Sequence, residues 1–334
     1  MVSVLDVAEH AKVSSATVSR ALNGSSRVTA KTRDRVLSSV QALNYQPNNF
    51  ARNLRTGRGN SVALVTGDIQ HGIYPALAQY TQQRLEILGL DLLLFNLGHQ
   101  EERLHHLLQT AVPLGLRGIL LASADPADMH RLLPYFRQAM DKGIAIVAVS
   151  QRLDSFGISS IVHDDRKGAM KAVHHLYQSG HHRIAFLGRI RTSAVGNERY
   201  RGYARALEEI GQALDPDLVW DVSDGYRSEA GYKLTQTMLQ RGTKADGILT
   251  ASDELAVGAL AAIKDFGLRA PDDIGVVGFG GIEWGRFVRP SLSTVALDVT
   301  AMADSVGRWF TELDQPSGNL LTLIEPQLVV RNSS

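Results

Sequence analysis

The sequence predicts an α/β protein: an N-terminal all-α helix-turn-helix headpiece and a hinge helix, followed by a two-lobed, doubly wound parallel-sheet body. Two observations support this. Short, capped, amphipathic helical segments fill the start of the chain, whereas short apolar segments alternate with longer helical ones after residue 60. Such alternation is typical of parallel sheets with right-handed crossovers. We therefore expect three parts: a helical domain at 1–46, a hinge helix and linker at 47–60, and a two-lobed domain at 61–334.

Charge separates the head from the body. The 334 residues carry a net charge of +1, but residues 1–60 hold nine Lys and Arg against three acidic residues, a net of +6. The remaining chain holds 26 basic and 31 acidic residues, a net of −5. A basic head on an acidic body indicates a polyanionic partner for the head alone.

Composition excludes several function classes. The absence of cysteine excludes disulfides, Cys-ligated zinc and thiol catalysis. No apolar segment approaches the ~18 residues of a membrane span, and the N-terminus lacks an apolar signal region, so we expect a cytoplasmic protein without membrane contact. Three adjacent histidine pairs point their rings apart on a helix and make poor metal clamps. We expect no metal, no cofactor and no catalytic residues, hence no enzyme.

Capping residues mark three helices in the head. Ser3 and Asp6 resemble a capping box at the start of the first helix, which we expect to run to about residue 12. Ser14 can cap a second helix that ends before Gly24. Thr29 caps a third helix, to about residue 44, with an apolar stripe on one face.

The second helix has two faces at helical periodicity. One is apolar and predicted to be buried, with Val18, Ala21 and Leu22. The other carries short side chains that let the backbone approach a major groove, where Arg20 can reach a guanine edge. Three more side chains suit phosphate oxygens: Thr17, Ser19 and Asn23. The alternative is a small three-helix module with a solvated polar face.

A short basic segment follows the head. Pro47 ends the preceding structure and Asn48 can cap a new helix. Ala51, Leu54 and Arg55 then share one side, with Arg52 beside them. An apolar Leu among basic residues suits insertion into a minor groove, although a Leu on such a helix is more usually a core contact.

Seven apolar segments and seven helical patterns fill the body. We predict strands at 62–65, 92–95, 118–121, 144–149, 184–187, 247–250 and 275–279. We predict helices near 74–88, 101–112, 127–142, 165–180, 197–211, 228–240 and 253–267. Two such series indicate two lobes, with a ligand cleft where their strands end.

Several motifs of the head and of the basic segment after it resemble the signature of the lactose-repressor (LacI/GalR) family of transcription regulators. The matching motifs are Asp6-Val7-Ala8, Val13-Ser14-x-x-Thr17-Val18-Ser19-Arg20-x-Leu22-Asn23, Tyr45-x-Pro47-Asn48 and Ala51-Arg52-x-Leu54-Arg55-Thr56-Gly57. The resemblance implies that Ser15, Ala16 and Arg20 read bases and that Leu54 is the minor-groove lever of a hinge helix. We further assign phosphate contacts to Thr29, Thr32, Tyr45 and Asn48.

The resemblance continues through the body, whose family fold is similar to periplasmic sugar-binding proteins. Further matching motifs include Arg199-x-x-Gly202-Tyr203 and Ala251-Ser252-Asp253-x-x-Ala256-x-Gly258-Ala259. Three chain crossings between lobes are implied, so we expect lobe one at about 61–161 plus 292–320, and lobe two at about 162–291 plus 321–331. The effector contacts that we carry over are Tyr74, Ser150, Arg199, Tyr226, Ser252, Asp253, Phe279 and Gly280.

Two departures bear on the effector. Sugar-responsive members usually carry Asp where this chain has Ser150 and Gly280, while Arg199 is retained. With further arginines near strand ends (Arg152, Arg189 and Arg191), this favours an anionic effector such as a sugar acid or sugar phosphate. The alternative is a neutral sugar bound by other polar groups. Separate alternatives are a surface ion pair for Arg199 and a packing role at the rim for Tyr226.

The resulting prediction is a ligand-responsive, sequence-specific repressor of a carbohydrate or sugar-acid operon. We expect a homodimer on a palindromic operator in double-stranded DNA, and no tetramer, since no heptad repeat follows Arg331. A corepressor-dependent regulator is an alternative within the same family. A solute-binding protein would have no use for residues 1–60.

Overall fold

The computed structural model describes residues 2–22, 25–45, 59–126, 128–222, 225–312 and 320–334. They belong to two compact units, Met1–Gly59 and Asn60–Ser334, which we call the head and the body.

Three helices form the head, and their caps follow the sequence prediction. The helices are α1 (Val4–His10), α2 (Ser15–Leu22) and α3 (Ala30–Ala42). Both hydrogen bonds of the capping box between Ser3 and Asp6 are present. The hydroxyls of Ser14 and Thr29 accept the amides three residues on, at 3.2 and 3.3 Å. Helices α1 and α3 end earlier than predicted because Lys12 and Asn44 adopt left-handed φ values of 49° and 47°.

A small apolar core holds these helices together. Val18 and Ala21 of α2 are buried as predicted, and Leu22 is half-buried. Val36 of α3 is buried, and Val40 and Leu43 pack at its margin. The remaining buried members of this core are Val7, Ala8, Ala11 and Val28.

The body contains two six-stranded sheets. Lobe one is built on the sheet of order β11-β5-β4-β3-β1-β2, whose paired strands are all parallel. Its strands are β1 (Ser61–Thr66), β2 (Asp91–Asn96), β3 (Leu116–Ala122), β4 (Ala145–Ala148), β5 (Ser159–His163) and β11 (Leu321–Ile324). Its helices are α4 (Ile73–Ile87), α5 (Glu101–Thr110), α6 (Met129–Asp141) and α11 (Val299–Thr311).

Lobe two is built on the sheet of order β12-β10-β9-β8-β6-β7, in which only the β10–β12 pair is antiparallel. Its strands are β6 (Ile184–Gly188), β7 (Val219–Asp221), β8 (Gly247–Thr250), β9 (Gly275–Gly280), β10 (Ser293–Ala296) and β12 (Gln327–Val329). Its helices are α7 (Asp165–Gln178), α8 (Ala194–Glu209), α9 (Ser228–Gln240) and α10 (Asp253–Asp265).

Apolar side chains cover both faces of each sheet. In lobe one, Phe136 lies on one face and Leu77 on the other, and both are almost fully buried. In lobe two, Leu255 and Tyr203 have the equivalent positions. The Tyr203 hydroxyl donates to the carbonyl of Ile184 at 2.9 Å, so the largest buried side chain keeps a hydrogen bond. This layered arrangement is the doubly wound architecture that alternating β and α segments predict.

The chain crosses between lobes three times, but two crossings differ from the predicted borders. Strand β10 at Ser293–Ala296 pairs with β9 of lobe two, whereas the sequence prediction placed it in lobe one. Strand β11 at Leu321–Ile324 pairs with β5 of lobe one, whereas it was assigned to lobe two. These two crossings therefore come after a strand rather than before it, because each strand is held in its lobe by hydrogen bonds to the neighbouring strand.

Among the residues described, no helix combines the length and apolar character that a membrane crossing requires.

Candidate DNA-reading surface and ligand cleft

Helix α2 presents a polar surface opposite the head core. Ala16 and Arg20 are exposed, while Ser15 and Ser19 are half-buried. Val18 on the opposite side is fully buried. The exposed surface therefore has the short side chains and the single Arg that close approach to base edges requires.

Three residues assigned to phosphate contacts lie near helix N-termini. The Thr17 hydroxyl is 2.9 Å from that of Ser14 at the start of α2. The Thr29 and Thr32 hydroxyls are 3.0 Å apart at the start of α3. Free amides at such ends favour anions. Tyr45 is half-buried after α3. Six assigned residues lie outside the described part of the chain: Asn23, Asn48, Ala51, Arg52, Leu54 and Arg55.

A cavity of about 260 Å³ lies between the two lobes. Its walls come from segments that directly follow strands of both sheets: Gly67 and Asp68 after β1, Asp125 after β3, and Arg189 after β6. Gly280, the last residue of β9, also lines it. This is the usual ligand position in open α/β folds, outside the carboxyl ends of the strands.

Aromatic rings form one wall of this cleft. The His71 ring lies 5.5 Å from the Tyr74 ring in lobe one and 5.2 Å from the Tyr226 ring in lobe two. The Tyr226 hydroxyl donates to Ser193 Oγ at 2.7 Å, which fixes the ring. Of the predicted contacts, Tyr74, Ser150, Arg199, Tyr226, Phe279 and Gly280 line this cavity.

Arg199 has a partner within the protein. Its Nε donates to Asp165 Oδ1 at 2.8 Å, and one terminal nitrogen donates to the Ala251 carbonyl at 2.5 Å. The guanidinium also lies 3.9 Å from the centroid of the Phe279 ring. Burial raises the pKa of the Asp165 carboxyl, and Arg199 beside it acts in the opposite direction. Arg199, one of the residues on which the expectation of an anionic effector rests, is therefore already paired within the protein.

The other arginines near strand ends are paired too. Arg189 contacts Asp125 across the cleft at 3.2 Å. Arg152 and Arg191 contact Asp154 and Asp221 at 2.8 and 2.5 Å. The cavity is lined by four carboxylates, Asp68, Asp125, Asp165 and Glu254, against three guanidinium groups, Arg189, Arg199 and Arg227. The expected excess of positive charge is absent from the described cavity lining, because carboxylates elsewhere replace those missing at Ser150 and Gly280.

Ser252 and Asp253, also predicted as effector contacts, have structural roles in lobe two. The fully buried Ser252 hydroxyl caps α10 by accepting the Leu255 amide at 3.2 Å. The Asp253 carboxylate accepts the Gly281 and Ile282 amides at 2.6 and 2.8 Å, and Thr294 Oγ1 at 2.6 Å. With these three donors around it, the carboxylate is committed to shaping the turn after β9.

Four further residues line the cleft although they were not among the predicted contacts: His71, His163, Asp125 and Glu254. His163 ends β5, and its Nε2 lies 3.3 Å from the Asp298 carbonyl. Burial lowers the pKa of His163 to about 4. Glu254 Oε1 accepts the Gly72 amide of lobe one at 2.7 Å. The apolar residues before His163 could have indicated the end of a strand, where cleft residues lie. No sequence pattern pointed to Glu254.

Both parts of the chain match known families. Residues 3–48 match the model of the bacterial regulatory proteins, lacI family, and residues 173–334 match the periplasmic binding protein-like domain. The HTH-type transcriptional regulator GalR of Escherichia coli (strain K12) is 30% identical over 100% of this chain and 96% of its own. The ribose operon repressor of Halalkalibacterium halodurans is 32% identical over 88% of this chain and 85% of its own.

A solved structure agrees with the fold over nearly the whole chain. The lac repressor dimer bound to operator and the anti-inducer ONPF has a TM-score of 0.84 at 26% identity, covering 99% of this chain and 98% of that chain. The head and the ligand cleft thus define a DNA-binding transcription regulator. The chain belongs to the LacI family.

Proposed function

We propose that this protein is a repressor that binds a palindromic operator as a homodimer and is switched by a small neutral polyhydroxylated compound in the interlobe cleft. It would act in the cytoplasm, where its DNA partner is found. The observation that carries the ligand part of this proposal is the cleft itself. It joins the carboxyl ends of both sheets and is lined by aromatic rings and by arginines that each contact a carboxylate of the protein.

The DNA part rests on the exposed surface of α2. Ser15, Ala16 and Arg20 are proposed to read bases, while Thr17, Ser19, Thr29, Thr32 and Tyr45 contact phosphates. The hinge residues Ala51, Arg52, Leu54 and Arg55, with Asn23 and Asn48, complete the proposed surface on the grounds of sequence alone. The relative seen on operator DNA, the lac repressor, supports this mode of binding.

The pairing of the cleft charges supports a neutral ligand. An anionic ligand would have to break the Arg199–Asp165 contact or approach four carboxylates. The faces of Tyr226 and Tyr74 suit the apolar faces of a sugar ring, and charged side chains around them suit its hydroxyls. A cavity of about 260 Å³ suits one small ring. One relative is named for ribose, a neutral sugar, which agrees with this class of ligand.

The proposed dimer explains exposed apolar side chains on the body. Phe287 is 68% exposed and Trp284 is 42% exposed, next to each other on lobe two. Ile87 at the end of α4 in lobe one is 78% exposed. Large apolar patches on a monomer mark interaction surfaces. Two-fold symmetry would also match the two half-sites of a palindrome.

A thermal-shift screen of the full chain tests the ligand class. The panel contains neutral sugars, the corresponding sugar acids and the sugar phosphates, because a ligand that binds the native state raises the unfolding temperature by mass action. We expect a neutral sugar to raise it and its acid and phosphate forms to do so less. A clear preference for an anionic form would overturn the neutral-ligand proposal.

The direction of switching is tested with the ligand found. Fluorescence anisotropy on a duplex selected in vitro by the protein should show weaker binding when the ligand is added, as for an inducer. Tighter binding would indicate the corepressor-dependent alternative. Absence of any sequence-selected duplex would overturn the repressor proposal itself.

A further inference from the structure

Helix α4 of lobe one has no capping side chain of its own. Its N-cap residue is Gly72, which offers no side-chain acceptor. The amide of Gly72 instead donates to Glu254 Oε1 at 2.7 Å. Glu254 belongs to lobe two, 182 residues further along the chain. A helix end that would otherwise leave amides without partners is thus capped from the opposite lobe.

Glu254 is held firmly enough to serve as this cap. It lies in the first turn of α10 and is 8% exposed. The two residues before it, Ser252 and Asp253, are fixed by hydrogen bonds inside lobe two. A carboxylate that accepts a backbone amide at a helix N-terminus also interacts favourably with the helix dipole.

His71 completes the surroundings of this carboxylate. Its Nε2 lies 3.9 Å from Glu254 Oε2. Burial lowers the pKa of His71, and Glu254 opposes that effect. A neutral imidazole gives only a weak contact at this distance, so the Gly72 amide is the main partner of Glu254 across the cleft.

Gly72 is also required by the approach of the two lobes. Its φ of −57° and ψ of −23° are helical, so the backbone alone would accept any residue. A Cβ atom at this position would lie 2.8 Å from Ile282 Cγ2 and 3.0 Å from Glu254 Oε1, both in lobe two. Glycine is therefore required at this position because a side chain would collide with the opposite lobe. Its conformational freedom is not needed here.

We propose that Glu254 and Gly72 form a latch that holds the cleft closed. Closing the lobes completes the N-terminus of α4, and opening them leaves its first amide without its acceptor. Two further contacts cross the cleft nearby, Arg189 to Asp125 and the Ala194 amide to the Ala124 carbonyl at 2.9 Å. We infer that these contacts part when the latch opens. This inference rests on the proposed function only in taking the cleft to be the effector site.

Hydrogen exchange of the full chain, without ligand or DNA, tests the latch. Mass spectrometry would follow two amides that cross the cleft, at position 72 and at Ala194. Glu254→Ala removes the acceptor, and Gly72→Ala introduces the clash. Both variants should exchange about tenfold faster at both amides, the factor expected for loss of a charge-assisted hydrogen bond. Glu254→Gln keeps an acceptor oxygen and should stay within about threefold of the wild type.

Matched variants separate opening from general damage. Gly285→Ala adds a methyl group that meets only ordinary contacts at 3.6 Å or more, and Glu229→Gln removes an exposed carboxylate on lobe two. Neither should change exchange at the two amides. The Gly281 and Ile282 amides, bonded to Asp253 within lobe two, should keep their protection in every variant.

Two results would overturn the latch. If Glu254→Ala accelerates exchange at position 72 but not at Ala194, Glu254 is only a local cap. If Gly72→Ala exchanges like the wild type at Ala194, the lobes do not depend on this approach. Either result leaves the proposed function intact, because no ligand or DNA enters the measurement.

Discussion

Arg199 and Asp165 form a buried ion pair, with Nε 2.8 Å from Oδ1 and both side chains less than a tenth exposed. Asp165 begins α7 and Arg199 lies on α8, while the Ala251 carbonyl that Arg199 also binds follows β8. One guanidinium thus connects three segments of lobe two behind the cleft. The positive charge of Arg199 is therefore balanced within the protein by the Asp165 carboxylate.

Removing one member of this pair should destabilise the protein strongly. Arg199→Ala leaves the Asp165 carboxylate buried without a partner, which we expect to cost about 3–5 kcal/mol of unfolding free energy. Asp165→Ala should cost a similar amount, and the double variant much less than the sum of the two. Urea unfolding followed by circular dichroism would measure all three.

Arg201→Ala is the matched control on the same helix. Arg201 pairs with Glu198 at 2.9 Å but is 59% exposed, so its loss should cost only about 0–1 kcal/mol. Equal losses for Arg199→Ala and Arg201→Ala would contradict the role of the buried pair.

Asp253→Ala should destabilise lobe two by removing an acceptor shared by three donors. The Gly281 and Ile282 amides and the Thr294 hydroxyl would lose their partner, at about 1–3 kcal/mol for each buried group left unsatisfied. Thermal unfolding measures the loss. Asp265→Ala, an exposed residue at the other end of α10, should have little effect and serves as the control. A similar shift for both variants would show that the three contacts contribute little.

Much of the fold could be predicted because the chain repeats one pattern. Continuous apolar strands such as Ile184–Gly188 are buried on both faces, so composition alone marks them. Short strands such as Val219–Asp221 and Ser293–Ala296 carry little apolar signal and are held by pairing with β6 and β9. Helix α11 was missed although Met302, Val306 and Phe310 bury one face at every fourth residue, a pattern that could have identified it.

The cleft could be predicted in position but not in charge. Strand ends locate Ser150 and Gly280 because parallel strands bring their carboxyl ends to one edge. The pairing of Arg199 with Asp165 joins residues 34 apart, and that of Arg189 with Asp125 joins residues 64 apart. Such partners depend on how α7, α8 and the two lobes pack, which no local pattern records. The expectation of unpaired positive charge in the cleft was wrong for this reason.

His163 should make stability depend on pH in acid. Burial lowers the pKa of His163 to about 4 from an ordinary value of 6.5, so between these values the unfolded chain binds a proton that the folded protein does not. The free energy of unfolding therefore includes the full contribution of the neutral His163 above pH 6.5. It decreases by about 3 kcal/mol as the pH falls towards 4.

His163→Gln isolates this effect because glutamine keeps an N–H donor for the Asp298 carbonyl but does not titrate. Urea unfolding at several pH values should show the variant losing less stability than the wild type between pH 6.5 and 4. Parallel pH profiles for the two proteins would contradict the buried neutral histidine.

Arg20→Ala should relax base preference more than it weakens general DNA binding. The exposed Arg20 on α2 is proposed to donate to one guanine, and a bidentate contact of this kind contributes about 1–3 kcal/mol of discrimination. Anisotropy titrations would compare the selected duplex with duplexes changed at single positions. Arg35→Ala on α3 removes the same charge from another exposed position of the head, so it should lower affinity for all duplexes alike if it contacts DNA at all. If the two variants lose affinity equally across every duplex, Arg20 contacts the phosphate backbone and base reading belongs to other residues of α2.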